Sequence, residues 1–117
     1  MALHEIKKNC KIVNELLMYL MRNSFHQIEM HIDYQTDESV ITFIVDECPS
    51  EVISQMAENL NKGRRYEFEG YYWELMGESD NTNQLSIIGM LVDGIHFEEK
   101  NGRTKMIIHR KHTFLKK

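Results

Sequence analysis

Apolar and polar positions along this chain follow two rhythms. From the N-terminus, Leu3, Ile6, Cys10, Val13, Leu17 and Leu20 recur at steps of three and four, which puts them on one face of a helix. Leu16 and Met21 widen that stripe, while Lys7, Lys8, Lys11, Asn14 and Glu15 lie mostly off it. The spacing suits a short coiled-coil seam or a helix docked on a sheet equally well. Next, Ile28, Met30, Ile32 and Tyr34 alternate with Glu29, His31 and Asp33, the pattern of a strand with one covered and one wet face. Gln35-Thr36-Asp37-Glu38-Ser39 reads as a polar turn. Val40 to Val45 is a second strand, apolar on both faces and therefore expected to be central. It ends at Asp46.

The single proline, Pro49, keeps Cys48 out of helical dihedrals. Behind it Ser50 suits a cap and Glu51 the positive end of a second helix, whose apolar face is Val52, Ile53, Met56, Ala57 and Leu60. Gly63 ends it. Residues 64–83 are rich in aromatic area, with Tyr66, Phe68, Tyr71, Tyr72 and Trp73, and close on the loop-like Asp80-Asn81-Thr82-Asn83. A third helix is predicted from about Gln84 to Asp93, burying Leu85, Ile88, Leu91 and Val92. Ile95–Lys100 and Thr104–Arg110 form two strands around Asn101-Gly102, a strong hairpin signal. The order asks for an α+β fold: a two-layer α/β sandwich, its mixed, mostly antiparallel sheet of four or more strands carrying helices on one face.

Composition sets the frame. The 117 residues are 42% apolar, enough for one domain with a core and against disorder. No linker, repeat or low-complexity tract divides residues 1–117. No apolar run approaches the length of a membrane span, so no membrane partner is expected. Met1-Ala2-Leu3-His4-Glu5 has neither a basic nor an apolar signal region, and Cys10 and Cys48 are the only cysteines. A cytoplasmic protein with reduced thiols is the expectation. The net charge of −4 hides an asymmetry. Residues 1–99 carry 7 Lys/Arg against 18 Asp/Glu, while residues 100–117 carry 7 Lys/Arg and no acid. A basic end can mark a nucleic-acid binder. The acidic body and the lack of interleaved aromatics favour instead a solvated last strand with a frayed end.

The element order, the strand-end Asp46 and the segment from Leu85 to Arg110 resemble the GHKL superfamily, the ATP-binding fold of gyrase, histidine kinases and anti-sigma-factor serine kinases. That segment holds a glycine-bearing helix, a strand, a tight turn, a threonine and a last strand, as the family's closing unit does. The resemblance covers nearly the whole chain. It implies that Asp46 would accept a hydrogen bond from the adenine amino group and that Thr104 would support it, often through water. It also implies ATP and Mg²⁺ as cofactors, a metal-holding asparagine and a nearby glutamate on the first helix, and glycine-rich phosphate loops. Here the chain departs from the pattern. Glu15 falls at the glutamate's place, but Tyr19 stands where the asparagine belongs, and a phenol is a poor Mg²⁺ ligand. Cys48-Pro49 occupies the place of a glycine. The lid segment 77–83 carries Glu78 and Asp80, and Arg103 precedes Thr104 in place of glycine.

No His-Glu-x-x-His, Cys-x-x-Cys, P-loop or Gly-x-Gly-x-x-Gly occurs, and the six histidines read as surface residues. Cys48 has no base paired with it in sequence. Neither a catalytic nor a metal-binding residue is assigned. Tyr66, Phe68, Tyr71, Tyr72 and Trp73 are either packing under a long connection or a surface that fills the old nucleotide pocket or meets a partner. The expectation is a non-catalytic regulatory or signalling domain acting through another protein, with a homodimer as one form. The alternatives are an anti-sigma-type serine kinase or other ATP binder, and a nucleic-acid binder.

Overall fold

The computed structural model describes residues 3–69 and 84–112. Helix α1 (Leu3–Arg22) leads into strands β1 (Glu29–Tyr34) and β2 (Glu38–Asp46). Helix α2 (Ser50–Leu60), a 3-10 turn (Tyr66–Phe68), helix α3 (Gln84–Gly89), β3 (Gly94–Lys100) and β4 (Arg103–Lys111) follow. The strands make one sheet in the order β1-β2-β4-β3, and every pairing is antiparallel. This is the expected α+β sandwich with an antiparallel sheet.

The period-2 pattern decides which face is covered. Ile41, Phe43 and Val45 of β2 lie opposite Ile108, Met106 and Thr104 of β4, and all six are buried. Against them α1 packs Ile12, Val13, Leu16 and Leu20, α2 packs Val52, Met56 and Leu60, and α3 packs Leu85 and Ile88, with Leu91 and Val92 just beyond. Val40, Thr42 and Ile44 point to the other face and stay half-buried, the apolar row expected there. At the β3–β4 turn Asn101 (φ 56°) and Gly102 (φ 78°) both adopt positive φ, as a two-residue hairpin of primed type requires. Where α3 crosses α2, a Cβ on Gly89 would overlap the backbone carbonyl of Asn59. Only glycine allows the two helices this approach.

Four expectations need correction. The buried residues of α1 are Glu5, Asn9, Ile12, Val13, Glu15, Leu16 and Leu20, so Glu15, expected off the stripe, is covered, whereas Ile6, Cys10 and Met21 are exposed. The helix is turned because Glu5 reaches into the core for a partner on β4. Every residue of β1 is exposed, because the helix layer stops short of this edge strand. Pro49 (φ −62°, ψ 146°) takes the N-cap position of α2, so Ser50 is its first helical residue, and no side chain caps the helix. Finally, α3 ends at Gly89 rather than Asp93, and Leu91 and Val92 enter the core from the turn that follows. Among the described residues no helix is long and apolar enough to cross a membrane.

Candidate functional site

Asp46 and Thr104 stand on adjacent strands, with Thr104 paired to Val45 and Asp46 to Arg103. Alternation sends their side chains to opposite faces of the sheet. Asp46 points to the uncovered face, where its Oδ1 accepts a hydrogen bond from Arg103 Nε at 3.0 Å. The same guanidinium donates from Nη2 to Glu29 at 2.8 Å, and bonds to these two carboxylates raise its pKa. Thr104 lies on the helix side, 2% exposed, and its Oγ1 donates to Glu99 at 3.3 Å. The structure therefore does not bring the two candidate adenine contacts to one point.

Thr104 lines an open cleft of ≈ 350 Å³ with Glu47, Cys48, Glu99, Lys100, Asn101 and Gly102. Asp46 is not part of that lining. Two carboxylates and one ammonium give the cleft a net acidic wall, which opposes a polyphosphate. Burial, followed by the charge of Glu99, pushes the Cys48 thiol up in pKa, away from the thiolate that nucleophilic or metal chemistry needs. Nearby Tyr19 donates its hydroxyl to Gln55 Oε1 at 3.0 Å, joining α1 to α2. Burial and then the Cys48 charge raise its pKa as well, so it remains a neutral phenol. Among the described residues no cluster of three or more His, Cys, Asp or Glu side chains could hold a metal ion.

The densest chemistry lies elsewhere, at the opposite end of the sheet. Arg110 is on the inner face of β4, opposite Ser39, and fully buried. It donates from Nη1 to the Leu91 carbonyl at 2.8 Å and from Nη2 to Glu5 Oε1 at 3.0 Å. Glu69 Oε1 lies 3.7 Å from the same nitrogen. Lys8 stands 3.5 Å from the other Glu5 oxygen and 4.0 Å from Glu69. Glu69 is also bonded by Arg64 Nε at 2.6 Å. Arg64 Nη1 goes on to Asp93 at 2.9 Å and the Lys111 carbonyl at 2.7 Å.

Burial, with the neighbouring Arg64 charge, lowers the Arg110 pKa against the pull of Glu5 and Glu69. For Arg64 burial acts downward too, but the bond to Glu69 and the charges of Glu69 and Asp93 outweigh it and leave the pKa raised. Both guanidiniums stay charged. The network ties the start of α1, the loop after α2 and the end of β4 into one unit, and its charges are spent on one another.

Sequence reading missed this network, although two signals carry it. Arg110 shares parity with Thr104, Met106 and Ile108, which makes it an inward arginine. Glu5, Ile12, Leu16 and Leu20 fall on one helical stripe, which makes Glu5 an inward acid. Of the aromatic candidates, Tyr66 is 52% exposed, its ring 4.4 Å from the Arg64 guanidinium carbon. Its hydroxyl reaches Asp93 at 3.4 Å. Phe68 closes the 3-10 turn, and Tyr71, Tyr72 and Trp73 lie outside the described residues, as does the lid segment 77–83. The expected solvated basic strand is corrected in part: Arg110 is fully buried and, among the described residues, the largest such side chain, and Arg103 is engaged by two acids.

No family model, no curated protein and no solved structure matches this chain.

Proposed function

We propose that this chain is a non-catalytic regulatory or signalling domain that acts by contact with another protein. The observation that carries the reading is the divergence of Asp46 and Thr104 to opposite sheet faces, each already engaged by a charged neighbour. A nucleotide base approaching Thr104 would meet Glu99 and a protonated Cys48 thiol, with the Asp46 carboxylate on the far side of the sheet. On the GHKL-like reading, the scaffold is kept while the groups that would hold Mg²⁺ and phosphate are replaced. Tyr19, standing where a metal asparagine would, is committed to Gln55.

Calorimetric titration with ATP and ADP in Mg²⁺ tests the proposal, and no heat of binding is expected. Tight Mg²⁺-dependent binding that Asp46→Asn weakens would overturn it in favour of an anti-sigma-type kinase or another nucleotide binder.

A further inference from the structure

We propose that the free edge of β1 pairs with β1 of a second copy of this chain, antiparallel and centred on Ile32. The inference deepens the protein-contact reading by naming the partner, and it is tested by association rather than by nucleotide binding. β1 is the outer strand of the sheet. Met30, Ile32 and Tyr34 lie opposite Phe43, Ile41 and Ser39, so they belong to the helix-covered face. Yet they are 41%, 46% and 41% exposed. One flank of α1 is also bare, with Ile6 43% and Met21 60% exposed. Its opposite flank is held towards α2 and the loop behind it by Tyr19–Gln55 and Lys8–Glu69. The bare flank of α1 therefore turns away from α2, and β1 carries its own uncovered apolar row.

The backbone of that edge is open. Gln35 donates its N–H to the Glu38 carbonyl, so Gln35 faces β2. In an antiparallel pair, alternate residues face the neighbour. Met30, Ile32 and Tyr34 therefore turn their N–H and C=O groups outward. Soluble proteins guard such edges with lysine, proline, bulges or inward charges. The other edge strand, β3, has such guards: Glu99 shares the inner face with Thr104, and Lys100 ends the strand. β1 has no lysine, proline or inward charge, and its two acids, Glu29 and Asp33, lie on the outer face.

Charge selects the partner and the register. A two-fold axis normal to the sheet keeps both helix layers on one side and makes opposed residues share a face. Centred on Ile32, it sets Met30 against Tyr34 of the partner subunit and His31 against Asp33 of the partner subunit. The apolar row then meets itself, and the outer face gains two imidazole–carboxylate pairs by symmetry, with no acid set against an acid. Centring on His31 would oppose Glu29 to Asp33 of the partner subunit, and centring on Asp33 would set like carboxylates together. Cross-strand pairing penalises both.

Sedimentation equilibrium over rising concentration reads the association. The wild-type chain is expected to dimerise. His31→Glu, which creates two acid–acid contacts, is expected to weaken the dimer by about tenfold in Kd. His31→Glu with Asp33→Lys is expected to restore it. Both sites are exposed on β1, and unchanged thermal melting of the variants confirms intact folds. On dimerisation, the Met30, Ile32 and Tyr34 amides should gain protection from hydrogen exchange. A monomeric wild type at all concentrations overturns the proposal and leaves the edge to an unlike partner. A dimer indifferent to His31→Glu, or not restored by the double change, overturns the register.

Discussion

Replacing Arg110 by methionine tests whether the buried network holds the sheet and helix layers together. Methionine keeps an unbranched apolar stem and removes the charge. The contacts that go include the bond to Glu5 at 3.0 Å, the bond to the Leu91 carbonyl at 2.8 Å and the approach to Glu69 at 3.7 Å. Glu69 retains Arg64 at 2.6 Å and loses little. Glu5, 1% exposed, loses its closest counter-charge and keeps the longer contact to Lys8. Removing one partner of a buried ion pair costs about 3–5 kcal/mol, and an unpaired buried carbonyl costs about 1–3 kcal/mol more. Lys8 offsets part of this, so a loss of about 4 kcal/mol is expected. With a urea slope of about 2 kcal/mol per molar, the midpoint should fall by about 2 M. Far-UV circular dichroism in urea follows it. The second arm removes the acid as well. Glu5→Leu with Arg110→Met removes both halves of the buried pair and should recover about 2 kcal/mol over the single change. A single-variant loss below about 1 kcal/mol would mean that water screens the site. Strict additivity of the two changes would mean that Glu5 and Arg110 do not act as a pair.

Gly89→Ala should destabilise by about 3 kcal/mol in the same urea assay, because its Cβ meets the backbone carbonyl of Asn59, which cannot move aside cheaply; a loss under about 1 kcal/mol would show that α2 and α3 can slide apart. Asn61 imitates a strand neighbour for β3, accepting from Ile95 N–H at 3.0 Å and donating to the Ile95 carbonyl at 3.1 Å. Asn61→Ala should cost about 2 kcal/mol and speed hydrogen exchange at the Ile95 amide; unchanged exchange there counts against the bond. Burial and Glu99 raise the Cys48 thiol pKa, so folding favours its neutral form. That contribution is present at neutral pH and is lost as pH climbs through the alkaline range, where the unfolded thiol ionises first. Iodoacetamide should modify the exposed Cys10 before Cys48, and Glu99→Gln should quicken Cys48; an unchanged rate would remove Glu99 as a cause.

The sheet was legible where alternation was strong and reported burial directly. Asn101-Gly102 fixed the β3–β4 turn, and the two-faced apolar run of β2 marked it as central. Alternation in β1 reported a face correctly but not its cover. Met30, Ile32 and Tyr34 do point to the helix side, yet whether a helix extends over an edge depends on how far the layer reaches, which a strand's own residues do not encode. The candidate site was legible in a different way. Resemblance put Asp46 and Thr104 at one place, and their strands are neighbours, but a one-residue difference in register parity sends their side chains to opposite faces of the sheet.

The orientation of α1 links the buried network to the helix's own bare flank. The apolar spacing from Leu3 through Met21 centres a stripe on the flank of Ile6, Cys10 and Leu17. Burial centres instead near Glu5, Asn9 and Leu16, turned by roughly one residue step, about 100°. Hydrophobic burial alone favours the first orientation, since it covers Ile6 and Met21. The second covers Ile12 and lets Glu5 meet Arg110, which sits on the inner face by strand parity and has Glu5 at 3.0 Å and Glu69 at 3.7 Å as counter-charges there. Losing the closer counter-charge of a buried guanidinium, about 3–5 kcal/mol, outweighs partial exposure of two side chains, each worth about 1.5–3 kcal/mol when fully buried. The helix turns to bring Glu5 to Arg110, and Ile6 and Met21 are left exposed on the flank of α1 away from α2. The inward arginine at one end of the sheet is thus the physical reason that this apolar flank of α1 is left bare.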